Sequence, residues 1–246
     1  MLNLIKAMTI KDANRKLEDG STMLHHAASK GDAGLAGILI KKKGDVNAPD
    51  SEENRPLHLS VKSGSLKVIR LLLSSGADVN VRNRAGESPL FMAARNGSLE
   101  IAGLLVEKGA DVQAGDNSGW TPLHWAVQKG IREMTRLFVS NGADVNSKEE
   151  IGGRTPLQIA ALANDTETAR ILIENGASLS IRDNGGWNPL HAAATKGYRE
   201  MVDLLIEKGA DLTEKETVYG RTPVQIAATE GHKELAGYLR LKNPRA

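Results

Sequence analysis

Cysteine is absent from this 246-residue chain, which excludes disulfide cross-links, thiolate metal centres and a cysteine nucleophile. The absence fits a reducing compartment. Aromatic residues are scarce, at 3%. A core with so few rings has to be built from thin, closely packed layers of Leu, Ile and Ala. No apolar run approaches the ~20 residues that span a bilayer. The first ten residues, MLNLIKAMTI, are mildly apolar, but Lys6 interrupts them and no small-residue cleavage site follows. No signal peptide is expected, and the expected location is cytoplasmic. Charge of one sign is not in excess either, since the net charge is +2. Residues 1–49 carry net +3, 50–148 net +1, 149–220 net −5 and 221–246 net +3. No segment is basic enough for a phosphate-tracking groove. The single cationic run, Lys41-Lys42-Lys43, sits where a helix should end, a place that favours cations. Asn96-Gly97-Ser98 and Asn164-Asp165-Thr166 fit the glycosylation pattern and are read as chance matches. At 40% hydrophobic and 25% charged residues, the chain is otherwise ordinary for a folded protein.

What the chain has in abundance is repetition. The tetrapeptide Thr121-Pro122-Leu123-His124 recurs as Thr22-Met23-Leu24-His25, Arg55-Pro56-Leu57-His58, Ser88-Pro89-Leu90-Phe91, Thr155-Pro156-Leu157-Gln158, Asn188-Pro189-Leu190-His191 and Thr222-Pro223-Val224-Gln225. Successive copies are spaced by 33, 33, 33, 34, 33 and 34 residues. A second motif keeps step, as in Gly76-Ala77-Asp78-Val79-Asn80 and Gly142-Ala143-Asp144-Val145-Asn146. Thr, Ser or Asn before Pro reads as an N-cap followed by Pro at the first helical position. Pairs of small residues follow one turn later, among them Ala93-Ala94 and Ala193-Ala194, and allow close helix approach. Gly64, Gly97, Gly130 and Gly197 are placed to end these short helices. A second helix carries one apolar face, as in Val68-Ile69-Leu72-Leu73 and Met201-Val202-Leu205-Ile206. An extended segment and a Gly turn (Gly86, Gly119, Gly153, Gly186, Gly220) lead into the next unit. One such unit cannot bury its apolar face alone, whereas a stack of them can.

These seven in-register copies resemble the ankyrin-repeat family over roughly residues 21–242. The resemblance implies an all-α repeat solenoid, a slightly curved stack of helix-turn-helix units with β-hairpin-like fingers. The fingers and first helices are expected to line its concave side. The expected organisation is a capping helix within 1–20, then repeats at 21–49, 50–82, 83–115, 116–148, 149–182, 183–215 and 216–246. The capping helix is placed at 3–17, with Ile10, Ala13 and Leu17 at helical spacing. At the other end Arg240 stands where earlier repeats have an aliphatic residue, giving the polar outer face that a terminal repeat needs. Repeat two departs from the pattern. Arg55 replaces the capping residue and Glu53 the turn glycine, so this finger should be weakened.

Catalysis and metal binding find little support. His25, His58, His124 and His191 share one slot of the repeat, so they lie a layer apart and cannot converge on one ion. The same slot holds Phe91, Gln158 and Gln225. Structural hydrogen bonding between repeats, which the family resemblance also implies, is the expected role. Asp183-Asn184-Gly185-Gly186 lacks the spaced oxygens and closing Glu of a calcium loop. No phosphate-binding, dinucleotide, serine-hydrolase or zinc-protease motif occurs. No catalytic residue, cofactor or metal is expected.

Function should therefore reside in the positions that differ between repeats. In the family these are the fingertips and the concave face of the first helices. Here they are Asn117, Ser118, Trp120, Trp125, Gln128 and Lys129 in repeat four, Arg82, Arg84, Glu87, Met92, Arg95 and Asn96 around repeat three, and Asn184, Trp187, Thr195 and Lys196 in repeat six. All three tryptophans of the chain fall in such slots, and exposed Trp with nearby Arg is the composition of interface hot spots. The 34-residue repeats place Ile151, Val218 and Tyr219 near loop tips. The expected function is a monomeric, non-catalytic scaffold or adaptor that binds a protein or peptide, with no small-molecule substrate, nucleic acid or membrane. A bacterial effector that targets a host protein is the alternative, ahead of an enzyme or a nucleic-acid binder.

Overall fold

The computed structural model describes residues 12–242, and among them it shows fourteen helices and no strand. The helices form seven pairs, which fall into two compact units, residues 1–117 and 118–246. The first unit holds α1 (Met23–Ser29), α2 (Ala33–Lys41), α3 (Pro56–Lys62), α4 (Leu66–Ser74), α5 (Pro89–Asn96) and α6 (Leu99–Glu107). The second holds α7 (Pro122–Gln128), α8 (Arg132–Ser140), α9 (Pro156–Ala163), α10 (Thr166–Glu174), α11 (Pro189–Lys196), α12 (Arg199–Glu207), α13 (Pro223–Thr229) and α14 (Lys233–Lys242).

Within each unit, first helices pack on first helices (α1–α3–α5 and α7–α9–α11–α13), and each also packs on the second helix of its own pair. The sequence explains the layering. First helices of seven or eight residues are too short to persist alone. They survive because Ala27-Ala28, Ala93-Ala94, Ala160-Ala161 and Ala193-Ala194 are fully buried between neighbours. Second helices bury one stripe, such as Val68, Ile69 and Leu72, or Met201, Val202 and Leu205, each with no exposed surface. A buried aliphatic of this size contributes ~1.5–3 kcal/mol.

The fingers are tight turns. Each is closed by a side chain at its base, which removes the need for a strand ladder and explains why hairpin-like segments form no sheet. Asp50 Oδ1 accepts from the amides of Glu52 (2.9 Å) and Asn54 (2.8 Å). Asp183 Oδ1 does the same for Gly185 and Trp187, both at 2.9 Å. The two longer fingers carry Glu here. The Glu149 carboxylate accepts from the amides of Gly152 (2.9 Å) and Arg154 (3.1 Å), and Glu216 accepts from those of Tyr219 (3.0 Å) and Arg221 (3.3 Å). One added backbone residue is matched by one added methylene. Successive fingertips are then tied amide to carbonyl: Arg84 to Glu52 (2.9 Å) and Asn117 to Ala85 (3.0 Å) in the first unit, and Glu150 to Ser118 (2.9 Å) and Asn184 to Gly152 (2.8 Å) in the second. At the opposite end of several fingers an Asn side chain (Asn47, Asn80 or Asn146) clasps the next repeat. Asn47, for example, donates to Gly76 O (3.1 Å) and accepts from Asp78 N (2.9 Å).

The capping helix placed at 3–17 lies mostly outside the described residues, and the described part, 12–17, is not helical. Asp12 and Asp19 close turns onto the amides of Asn14 (2.9 Å) and Ser21 (3.0 Å), a local bonding that competes with helix. Asn14 also clasps Asp45 N at 2.7 Å, as Asn47 clasps Asp78. This segment is thus shaped like another finger. At the other end Arg240 is exposed on α14 while Leu235, Ala236 and Leu239 are buried.

The irregular second finger keeps its shape. Glu53 adopts a left-handed φ of 61° where other fingers use Gly, and Arg55 Nη1 bonds Glu53 O at 2.7 Å instead of capping α3. A side chain in that region costs ~1–2 kcal/mol. Glu53→Gly should therefore raise stability by about 1 kcal/mol, read as a higher urea midpoint at unchanged slope; an unchanged or lower midpoint contradicts this account. Shortening the buried carboxylate, Glu149→Asp, should lower stability by about 1–2 kcal/mol and speed amide exchange at Gly152 and Arg154, because buried amides lose their acceptor. Unaltered exchange at those amides would refute the length match.

Candidate functional site

The recurring slot is a structural connector. Its Nδ1 accepts from the amide of its own N-cap residue, and its Nε2 donates to a carbonyl in the following repeat. His58 accepts from Arg55 N (2.9 Å) and bonds Glu87 O (3.0 Å). His124 accepts from Thr121 N (3.1 Å) and bonds Arg154 O (3.2 Å). Gln158 reproduces this with Oε1 on Thr155 N (2.8 Å) and Nε2 on Trp187 O. His191 accepts from Asn188 N (3.3 Å) and reaches Glu214 O (3.1 Å). An amide facing Nδ1 and a carbonyl facing Nε2 fix the neutral, Nε2–H tautomer. Burial pushes His58 down to about 4 against the opposing bond to Glu87, and burial lowers His25 and His191 as well. Among the described residues no three His, Asp or Glu side chains gather into a metal-binding group.

This connector reaches the residue two before a helix-starting Pro at Asn54, Glu87, Arg154 and Trp187, whereas His191 reaches Glu214 O. In the second unit that column reads Trp120, Arg154, Trp187 and Arg221. Trp120 and Trp125 come together, with ring centroids 4.9 Å apart at 43°, and Trp120 also lies 5.6 Å from the His124 ring. Both tryptophans are half-buried, with exposed Gln128 and Lys129 at the end of the same helix, α7. Trp187, Thr195 and Ser118 are half-buried and Lys196 is exposed. Thr195 is tied down by its hydroxyl to His191 O (3.0 Å) and by its carbonyl, which accepts from His232 (2.9 Å). Asn184 spends its amide on Glu150 O (3.2 Å) and Ile151 O (3.1 Å), so it fastens fingertips together.

In the first unit the arginines do not form a shared cluster. Arg82 bonds Gly115 O at 2.5 Å, Arg84 pairs with Glu52 at 3.3 Å, and Arg95 pairs with Glu87 while lying 5.9 Å over the Phe91 ring. Asn117 bonds Arg84 O at 3.0 Å. Met92 is buried at 4% exposure, whereas Asn96 is exposed. Three apolar fingertip residues of the second unit, Ile151 (80%), Val218 (63%) and Tyr219 (75%), are strongly exposed. Arg154 was not among the residues expected to bind. It shares the tryptophans' column, a position that a search for aromatic residues passes over.

The family profile described as "Ankyrin repeats (3 copies)" matches residues 1–83, 80–149 and 147–216. The chain belongs to the ankyrin-repeat family. The ankyrin repeat domain of human ASB11 is similar in structure, with a TM-score of 0.75 and 28% identity over 89% of this chain and 98% of that one. The ankyrin repeat domain of Bcl-3, described as a unique member of the IkappaB protein family, gives 0.79 and 27% over 91% and 100%. No curated protein matches the sequence significantly. Ankyrin repeats are in general non-catalytic modules that bind proteins. No helix among the described residues of this ankyrin-repeat chain is long and apolar enough to cross a membrane.

The neutral histidines give the ankyrin-repeat stack an acid limit. His58 in the unfolded chain takes up a proton near pH 6.5 and in the folded chain only near 4, so stability is complete above 6.5 and falls as pH drops between these values. His58→Gln keeps both hydrogen bonds, as Gln158 does, without the titration. Between pH 7 and pH 5 the wild type should lose about 2 kcal/mol more than this variant. Parallel urea titrations at both pH values check it, and equal losses would contradict the assignment.

Proposed function

We propose that this ankyrin-repeat chain is a non-catalytic scaffold that acts inside the cell as a monomeric adaptor, holding a protein or peptide on its first-helix face. The observation that carries this reading is the Trp120–Trp125 pair. Two large rings stand together on adjacent elements, partly open to solvent, beside the exposed Gln128 and Lys129. Paired aromatics that are only half covered gain most from a partner that completes their burial. Trp187 stands in the same column and adds a second aromatic contact. In the first unit Arg82, Arg84 and Arg95 are already engaged by this chain, so in this reading they do not anchor the partner. The slot histidines take no part, because both ring nitrogens are bonded within the scaffold.

The test is capture from cell lysate followed by mass spectrometry, comparing wild type with Trp120→Ala/Trp125→Ala. Circular dichroism checks that both are folded. The expected result is a partner bound by the wild type and weakened at least thirtyfold, ~2 kcal/mol or more, in the folded double variant. A partner retained equally by both would overturn the assignment of the anchor.

A further inference from the structure

We infer that the second unit carries a subsite for an extended peptide segment in which a single carboxylate neighbours an aliphatic side chain, with Arg154 taking the carboxylate. This rests on the reading of the first-helix face as the binding surface and specifies the chemistry recognised there.

Three observations converge on Arg154. First, it lines a cavity of about 170 Å³ together with Gln128, Ile159, Leu162 and Ala163. These residues come from α7, α9 and the finger between them, so the cavity lies on the first-helix face and shares α7 with Trp125. Its floor is aliphatic, through buried Ile159 and half-buried Leu162, and its rim offers a guanidinium and a primary amide. That volume, about six times a water molecule's share of the liquid, suits one aliphatic side chain.

Second, Arg154 is less engaged than its counterpart. Arg221 occupies the same position two repeats later, pairs with Glu216 at 3.2 Å and lies 4.8 Å over the Tyr219 ring. Among the described residues Arg154 forms no ion pair, and it is exposed. Glu149, on the same finger, is an acidic group on which the charge of Arg154 acts. It is 4% exposed, and its oxygens accept from the amides of Gly152 (2.9 Å) and Arg154 (3.1 Å). The Arg154 backbone is itself fixed, since its carbonyl accepts from His124 Nε2 at 3.2 Å. A positioned guanidinium beside an apolar floor is complementary to a carboxylate next to an aliphatic group.

Third, the surrounding charge sets the number of carboxylates. Residues 149–220 carry net −5, and exposed Glu150 stands on the same finger. A polyanion, whether an acidic tract or a nucleic acid, is repelled by such a field. One carboxylate meeting one guanidinium is not. Adjacent residues of an extended chain are about 3.3 Å apart, so a carboxylate and an aliphatic side chain one or two positions apart reach both parts of the cavity.

The experiment pans a random twelve-residue phage peptide library on wild type, Arg154→Gln, Arg154→Glu and Trp120→Ala/Trp125→Ala, each shown folded by circular dichroism. Clones enriched on wild type should share one Asp or Glu next to Leu, Ile, Val or Met. The synthetic peptide from the leading clone should bind Arg154→Gln about tenfold or more weakly, as loss of a charge-assisted bond implies. Its Glu-to-Lys version should regain affinity for Arg154→Glu, a reversal that loss of folding cannot produce. Clones without an acidic residue, equal affinity for Arg154→Gln, or no clone that distinguishes wild type from Arg154→Glu would each overturn the subsite. Displacement of the peptide by a twelve-nucleotide oligo-dT at low micromolar concentration would overturn it as well. If such clones still lose binding to the tryptophan variant, the first-helix face stands as the binding surface and only the acidic specificity falls. If no clone depends on either set of residues, both readings fall.

Discussion

In five of the seven first helices the side chain three residues in carries the structure, because it satisfies two backbone groups at once. A helix of seven or eight residues leaves its first amides without intrahelical partners, and an irregular finger offers no ladder for its carbonyls. Neutral imidazole answers both at once. In His124 one nitrogen takes the amide of Thr121 at 3.1 Å and the other gives its proton to Arg154 O at 3.2 Å. Gln158 does the same with a primary amide. Leaving two buried backbone groups unpaired would cost ~1–3 kcal/mol each, so one residue type fixes the helix start, the register of the next repeat and the place of the finger between them. The slot of repeat three holds Phe91, which has no such donor, and the chain divides into its two compact units at residue 117, in the finger that follows.

That economy frees the rest of each finger to vary. The bonds that shape the fingers are mostly main-chain bonds or run from a side chain to the main chain. The fingertip ties run from amide to carbonyl, and the Asn clasps and base carboxylates also end on backbone atoms. Side chains at the tips and in the column before each Pro therefore change with little effect on the scaffold. The side chain of Ile151, at 80% exposure, has no task in the stack. The same economy argues against chemistry at the histidines. A general base needs a free lone pair and a nearly balanced proton affinity, and these rings have their lone pairs occupied, with protonation suppressed by burial at His25, His58 and His191.

The architecture was legible in the sequence because the repeat converts weak local signals into a strong periodic one. A lone Thr-Pro-Leu-His predicts one N-cap; seven in step predict a stack, and the caps, the small-residue pairs and the terminal Arg240 all follow from spacing. The segment at 12–17 was misread because Ala13 and Leu17 fit a helical period while Asp12 and Asp19 favour local turns, and side chain-to-backbone bonds prevailed over periodicity. The candidate site was less legible. Exposure and ion pairing depend on which neighbour lies within reach, and this is set by contacts about thirty residues apart. Nothing in the sequence around Arg84 announces that Glu52 will pair with it at 3.3 Å, or that Met92 will be buried. The four-position column Trp120, Arg154, Trp187 and Arg221 was readable in principle, because it is fixed by its distance from Pro.

Arg154 and Arg221 show how far such a column can be trusted. They occupy one position in two fingers of the same length, above the same kind of buried Glu. In one finger the tip carries Val218 and Tyr219, the arginine lies over the Tyr219 ring, and its Nε is held to Glu216 at 3.2 Å. In the other the tip is Ile151 and Gly152. Neither supplies a π face, and the guanidinium is left at the rim of an aliphatic cavity. A cation over an aromatic ring gains ~0.5–2 kcal/mol, enough to decide between two orientations of a flexible side chain that are otherwise closely matched. The identity of one fingertip residue thus determines whether the arginine beneath it is part of the scaffold or available to a partner, although the repeat pattern scores the two positions as equivalent.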